Sequence, residues 1–349
     1  MSAPYALVSD LHCHNWSQFS QIGSDGVNTR LRIILDELIR AAQTLKKAGG
    51  TTLRVAGDLF HVRGNIAPSV LNPTFATFKW ICEALEIDVE IIPGNHDLEG
   101  LHADELGNAM QQLDLIEGVE VITKPTVCED GTVMLPWIES LDELRKEAAK
   151  LKNPNADLII HAPLNGVIRG LPDHGLDPVE VSKWGYRRVF TGHYHNHTAP
   201  MDGAISIGAT THQTWSDPNT AAGFLIVYPD RYEFHESQAP KFVNVDQPIV
   251  DTTAVRNNYC RIRLQDVEAD ELDKFKADLK AAGAAGIVDH STKKRPDTRG
   301  VAAPQNLTLE VSVAQFVAND LDVDKSLSKK RIANDALDVL RAARTVGAE

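Results

Sequence analysis

An α/β layered fold is predicted by two features of this sequence. Short apolar runs alternate with helix-like stretches from residue 5 to about 235, and nearly every apolar run hands over to a polar motif. The first run, Tyr5-Ala-Leu-Val-Ser-Asp-Leu-His, reads as a buried strand with a functional loop at its end. Asn28 to Ala48 follows with Leu31, Ile34, Leu35, Leu38, Ile39 and Leu45 at helical spacing, and Gly49-Gly50 stops it. Further strands are read in Thr52-Leu-Arg-Val-Ala-Gly-Asp, Val89-Glu-Ile-Ile-Pro-Gly-Asn-His-Asp, Asp157-Leu-Ile-Ile-His and Arg188-Val-Phe-Thr-Gly-His. Ala204–Gly208, Gly223–Tyr228 and Arg231–His235 look like consecutive antiparallel strands joined by turns such as Pro229-Asp230. The pattern loosens over 238–253, where Pro240 and Pro248 mark a boundary. Beyond it a small βαβ unit is expected from a strand at Tyr259–Leu264, a charged helix at Glu268–Ala282 and a strand at Gly286–His290. A polar linker runs from Ser291 to Gln305, and an amphipathic helix over Val323–Ala343 places Leu327, Ile332, Leu337 and Leu340 near one face. The expected domains are therefore 1–240, a small second unit at 250–320 and a C-terminal helix at 321–349.

Composition narrows the setting. The 43% hydrophobic content suits a globular chain, and Cys13, Cys82, Cys128 and Cys260 lack C-x-x-C spacing, which fits isolated thiols in a reducing compartment. No secretory leader or membrane-length apolar stretch is visible, so the expectation is a cytoplasmic protein with no membrane partner. The formal net charge of −13 works against a polyanionic partner, although divalent cations at a site add positive charge that a residue count omits.

Five motifs then occur in order: Asp10-x-His12, Gly57-Asp58, Gly94-Asn95-His96-Asp97, His161 after an Ile-rich run, and Gly192-His193-x-His195. Carboxylate, carboxamide oxygen and imidazole suit Mn²⁺, Fe²⁺ or Zn²⁺ without any thiolate. Each motif lies just past an apolar strand, so all can gather at the carboxyl edge of a sheet, where α/β folds bind ligands. Residues two apart in an extended strand point the same way, which is the expected reason for Asp10-x-His12 and His193-x-His195; Cys13 should then face the core. Gly57, Gly94 and Gly192 are read as permitting tight turns. His14, His102, His174, His197, His212, His235 and His290 are read as ordinary core or surface histidines.

With these motifs residues 5–235 resemble the calcineurin-like metallophosphoesterase superfamily. The resemblance implies a four-layer αββα metallophosphoesterase sandwich with a small βαβ capping domain, and two divalent metal ions, Mn²⁺ first among Fe²⁺, Mg²⁺ and Zn²⁺. It implies that Asp10, His12 and His195 hold one ion, that Asn95, His161 and His193 hold the other, and that Asp58 bridges them. Paired ions acidify water between them and offset charge on the phosphoryl group. His96 would stabilise the transition state or protonate the leaving oxygen, with Asp97 orienting its ring. A non-catalytic scaffold is disfavoured because no ligand position is lost.

The finer stretch Gly57-Asp-Leu-Phe-His61, followed by Pro68-Ser69, resembles the SbcD-type nuclease subunit of SbcCD DNA repair complexes and related phage recombination endonucleases. The gap from His61 to Pro68 is longer here than in that family, so the intervening loop is remodelled. The resemblance implies that His61 helps position a DNA end, that the cap flanks a DNA groove, and that a homodimer and an ABC-type ATPase subunit are partners. Arg63, Lys183, Arg187, Arg188 and the Lys293-Lys294-Arg295 cluster with Arg299 are candidate phosphate contacts, and Trp137, Trp184 and Trp215 candidate base-stacking residues. The leading expectation is a Mn²⁺-dependent DNA nuclease, an exonuclease with some endonuclease activity, cutting by direct attack of water. The alternatives are a small-molecule phosphodiesterase or phosphomonoesterase, which the negative charge suits, and a binding module that keeps metals for structure.

Overall fold

Asn28 caps the first helix by accepting hydrogen bonds from the backbone N–H groups of Arg30 and Leu31, and the apolar stripe that follows decides where α1 (Thr29–Lys47) lies. Leu31, Leu35, Leu38 and Leu45 are fully buried beneath it, together with Phe78 and Ile81 of α2 (Pro68–Leu85). In this computed structural model, which describes residues 3–100, 107–292, 308–321, 323–324 and 327–346, both helices cover one face of a six-stranded sheet. Edge to edge that sheet runs β12 (Tyr232–Glu236), β11 (Gly223–Val227), β1 (Tyr5–Val8), β2 (Thr52–Ala56), β3 (Asp88–Ile92) and β4 (Val119–Val121). The second six-stranded sheet runs β5 (Thr126–Val127), β6 (Val133–Leu135), β7 (Asp157–His161), β8 (Arg188–Gly192), β10 (Ala204–Ser206) and β9 (Thr198–Met201). Its outer face carries α3 (Leu141–Lys150) and the single turn α4 (Pro178–Val181), through Leu144, Ala148 and Val181.

Between the sheets, Leu7, Ala56 and Ile92 meet Met134, Ile159, Phe190 and Ile205. Helix, sheet, sheet and helix thus form the expected four layers. The strands that precede the five motifs are β1, β2, β3, β7 and β8, and β1–β2, β2–β3 and β7–β8 pair in parallel. Their carboxyl ends therefore lie together in each sheet.

Three elements differ from expectation. The Ala204 strand joins the second sheet parallel to β8, while only β11 and β12 form the antiparallel hairpin. A strand, β13 (Phe242–Val245), occupies the stretch read as loosened chain, with the short turn α5 (Thr252–Val255) after it. β13 pairs in parallel with β14 (Tyr259–Ile262), and β14 with β15 (Gly286–Asp289), with α6 (Ala269–Ala281) as the crossover of the latter pair. The expected βαβ unit is therefore a three-stranded parallel sheet. Finally, α2 has no counterpart in the sequence reading, because Pro68 and Pro73 obscure its periodicity; Pro68 at the start is tolerated, since its missing N–H has no helical partner there.

The chain divides into two compact units, 1–293 and 294–349, so the boundary expected near 240 falls inside the first. In the second unit, α7 (Leu309–Gln315) and a π-helical turn (Phe316–Asp320) precede α8 (Lys329–Val346), which begins later than the expected Val323. Among the described residues no helix is long and apolar enough to cross a membrane.

Candidate metal centre

The chain leaves its strands abruptly where the motifs begin. Asp10, His12, Asp58 and His193 all have left-handed backbones, with φ of 51°, 46°, 53° and 106°. That conformation costs a non-glycine residue of order 1–3 kcal/mol and persists only where the surroundings over-determine it. The extended-strand alternation expected for Asp10-x-His12 is thus replaced by a coiled loop. Backbone N–H groups of Asp10, His12 and Cys13 donate to the carbonyls of Gly57, Asp58 and Leu59, lacing the first two motifs together. Cys13 faces the core, as expected.

Two glycines matter for close approach. Gly57 has φ +90°, and a Cβ there would strike the His161 ring. Gly192 makes no turn: it ends β8, and a Cβ would strike Ser9 Oγ, the Ala56 carbonyl and His161 Nδ1. Small size, not turn geometry, is what this position requires.

The seven expected ligand side chains converge. Asn95 Oδ1 lies 3.2 Å from His161 Nε2 and 3.0 Å from His193 Nδ1, and Asp58 Oδ2 lies 3.4 Å from His161 Nε2 and 3.7 Å from His12 Nε2. Asp10 Oδ1 is 3.9 Å from His12 Nε2. Asp10, His12 and His195 form one group whose ligand atoms all lie within 4.8 Å of one another, and Asp58, His161 and His193 form another. The decisive observation for metal is Asp10 Oδ1, which is buried without a hydrogen-bond partner. Its sister oxygen accepts from Ser9 Oγ at 2.6 Å and from the His193 N–H at 3.0 Å. Leaving a buried charged acceptor bare costs at least about 1–3 kcal/mol, a cost that a cation in the cluster removes. The donor set fits divalent ions.

At Asp58, His12 and His193 the electrostatics favour ligation. Burial alone would raise Asp58, but the imidazoles of His161, His12 and His96 hold its carboxyl far below the usual range. Burial pushes His12 well down, and burial with His161 nearby pushes His193 down to about 3, so both rings are neutral and offer lone pairs at neutral pH.

His96 stands beside this cluster, its ring 4.9 Å from that of His12, and its backbone N–H donates to Asp58 Oδ1 at 2.8 Å. The expected pairing with Asp97 is not formed. Asp97 is completely buried, and its carboxylate accepts from the backbone N–H groups of Gly94, Leu59 and Phe60, tying the second motif to the third. The His96 ring is oriented instead by His61, whose carbonyl lies 2.7 Å from His96 Nδ1. His61 itself stacks on His96 with centroids 5.7 Å apart and packs against Trp16 at 4.5 Å and His14 at 5.1 Å. His14 thus belongs to the rim of the site. Trp137 stacks on His193 at 5.6 Å and walls the other side.

The remaining candidates scatter. Arg187 opens the way into β8 at the end opposite His193 and pairs with Asp157 at 2.9 Å, as does buried Arg188 at 2.6 Å, so neither faces the cluster. Five residues along a strand span about 16 Å, which separates them from the motif that follows. Arg63 is exposed in the loop just after His61. Trp184 packs on the second sheet's outer core, and Trp215 packs against Phe242 of β13 with Arg261 of β14 above it. His102, Lys293, Lys294, Arg295 and Arg299 lie outside the described residues.

Two residues were not anticipated. Asp217 Oδ1 lies 3.0 Å from His195 Nδ1, and the Gln213 side chain donates to the Asp10 carbonyl at 2.6 Å. In sequence Asp217 is merely a carboxylate before a proline in a turn-rich stretch.

The sequence model of the family described as calcineurin-like phosphoesterase matches residues 3–197. Among solved structures, TT1561 of Thermus thermophilus is similar with 12% identity and a TM-score of 0.41, over 68% of this chain and 100% of that one. A dimetal phosphatase from Danio rerio is similar with 13% identity and a TM-score of 0.37, over 64% of this chain and 92% of that one. No curated protein matches.

Proposed function

This chain belongs to the calcineurin-like phosphoesterase family, a family of phosphoester hydrolases with dimetal centres, and from that premise we propose that it is a nuclease hydrolysing phosphodiester bonds in DNA. The observation that carries this reading is the position of His61. Beside His96, the group suited to serve the leaving oxygen, stands a second imidazole backed by the Trp16 indole. The substituent on the leaving oxygen would lie on that side, and an imidazole backed by an indole offers a nucleoside a stacking face there. The GDLFH stretch that supplies His61 is also the stretch resembling the SbcD-type nucleases.

Asp10, His12 and His195 would hold one ion, Asn95, His161 and His193 the other, with Asp58 between them; Mn²⁺ is the ion proposed. When bound, the ions supply Lewis acidity, lowering the pKa of intervening water and offsetting charge on the phosphoryl oxygens. His96 donates its Nδ1–H to the His61 carbonyl, which leaves Nε2 as the atom that can carry a proton towards the departing oxygen. Trp137 shields one side of the pocket from water. On the same reading the helices of the second unit are the segment available to an ABC-type ATPase.

A second reading, a small-molecule phosphodiesterase, is favoured by the charge of −13 and by the engagement of Arg187 and Arg188 with Asp157. One assay separates the two. Linear DNA and bis-p-nitrophenyl phosphate are incubated with the protein in Mn²⁺ and in EDTA, alongside His96→Ala. DNA degradation that disappears in EDTA and in the variant is expected, and turnover of the small ester with intact DNA would reject the nuclease.

A further inference from the structure

Among the described residues, His195 is the one imidazole of the cluster whose Nδ1 meets a carboxylate. Its Nδ1 lies 3.0 Å from Asp217 Oδ1. Asp217 is only 2% exposed, and its other oxygen accepts from the backbone N–H groups of Gln213 at 2.7 Å and Thr214 at 2.8 Å. With both N–H groups on Oδ2, the carboxylate cannot rotate away, and Oδ1 stays aimed at the ring. Among the described residues only an acceptor meets Nδ1, so in the neutral ring the proton sits on Nδ1 and the lone pair on Nε2. The corresponding partner of His161 is a neutral group, the Ala56 carbonyl at 2.7 Å from Nδ1.

The same loop reaches the other ligands of the first group. Gln213 Nε2 donates to the carbonyls of Asp10 and Leu11, at 2.6 and 3.1 Å, and Thr210 Oγ1 donates to the Ser9 carbonyl at 3.2 Å. The Gln213 carbonyl accepts from Arg30 Nη2 at 2.7 Å, which anchors the loop to α1. One loop, 209–217, therefore positions both Asp10 and His195.

We propose that Asp217 is a positioning residue for the Asp10, His12 and His195 site: it fixes the His195 tautomer with Nε2 facing the ion, strengthens that nitrogen as a donor, and makes this site the tighter of the two. A carboxylate behind an imidazole raises its basicity and orients it, and removing such a partner typically weakens metal binding by about 10–100-fold. The inference rests on the dimetal reading of the cluster and goes beyond it in ranking the two sites and assigning the cause.

Asp217→Asn is the discriminating variant. Its single carbonyl oxygen satisfies the Gln213 and Thr214 N–H groups, so its NH₂ faces His195 and forces Nδ1 to accept. The proton then moves to Nε2, the atom meant for the ion. Two measurements test this. In metal-free wild-type protein labelled with ¹⁵N-histidine and held at alkaline pH, where the ring is neutral, long-range ¹H–¹⁵N correlation should show His195 as the Nδ1–H tautomer, and the variant should show Nε2–H; an Nε2–H tautomer in the wild type overturns the proposal and requires no variant. In Mn²⁺ titrations followed by the electron paramagnetic resonance of free ion, the wild type should bind two ions. Asp217→Asn, with unchanged circular dichroism, should lose about 10–100-fold in affinity at the tighter class of site and leave the weaker unchanged, and loss confined to the weaker class overturns the ranking. Equal weakening of both classes, or of neither, overturns it. A wild type that binds no ion would sink the dimetal reading instead, and the tautomer measurement would still decide what Asp217 does to His195.

Discussion

Asp157→Ala removes the centre of a polar clamp, and its cost can be worked from the groups left behind. Asp157 is fully buried and accepts two hydrogen bonds from Arg187, two from Arg188 and one from the Tyr5 hydroxyl. Arg188 is 9% exposed, so without the carboxylate its charge stays buried, with only the Tyr228 carbonyl among these partners remaining. Breaking a buried pair from one side costs about 3–5 kcal/mol. Arg187→Ala should cost no more than about 1 kcal/mol, because its side chain is 36% exposed and the pair is screened. The double change Asp157→Ala with Arg188→Met should recover most of the loss, since neither charge is then stranded.

The clamp also dictates a pH dependence. Burial alone would raise the Asp157 carboxyl, but the hydrogen bonds and charges of Arg188 and Arg187 overcome that and hold it below the usual carboxylate range. A carboxyl whose folded value is depressed contributes stability that is complete above its unfolded value, about 3.9, and is lost as pH falls through the lower folded value. Urea unfolding of metal-free wild type and Asp157→Ala, repeated from neutral to strongly acidic pH, should show a gap that is widest near neutrality and closes in acid. A gap below about 1 kcal/mol at neutral pH, or one that does not change in acid, refutes the reasoning.

Three further outcomes are expected. Gly192→Ala should abolish binding at the Asn95, His161 and His193 site and destabilise the fold by about 1–3 kcal/mol, because its Cβ meets a carbonyl and a ring that cannot both move; a variant that binds two ions with wild-type affinity contradicts this. His96→Ala should lower kcat by about 10²–10⁴-fold while metal analysis still finds the full complement, since His96 is outside both ligand sets; loss of metal would make it a ligand. Arg63→Ala should reduce the slope of log affinity for DNA against log salt by about one unit, and an unchanged slope would remove Arg63 from the phosphate contacts.

How much of this was legible from residues alone follows from the range of each interaction. The strand ends carrying Asp10, Asp58, Asn95, His161 and His193 were readable because a buried apolar run must stop where ligands begin, and metal chemistry restricts the ligand types. Arg187 was misplaced because nearness in sequence to His193 becomes the opposite end of a strand in space. Asp97 was misassigned for the reverse reason: adjacent to His96 in the chain, its carboxylate faces the backbone of another loop. Asp217 was invisible because its role exists only once the chain folds back 22 residues to meet His195, and β13 because its Phe242 and Val245 are too few to show a period.

The two ends of the sandwich are physically linked. Asp10 and Asp58 come from the first sheet and His161, His193 and His195 from the second, so the candidate centre is assembled only if the sheets keep one alignment. Apolar packing between sheets resists separation but discriminates poorly against sliding, because dispersion contacts are non-directional. Charge-assisted hydrogen bonds are directional, and here they cross between sheets: Tyr5 of β1 donates to Asp157 of β7, and Arg54 of β2 donates to Thr132 beside β6 and to Asp130. The strands β1, β7 and β8 that begin at this clamp are the strands that end at Asp10, His161 and His193. A sheet shift that parted the ligands would therefore break buried charge-assisted bonds at the far end, and the buried arginines are best understood as what holds the candidate metal centre in register.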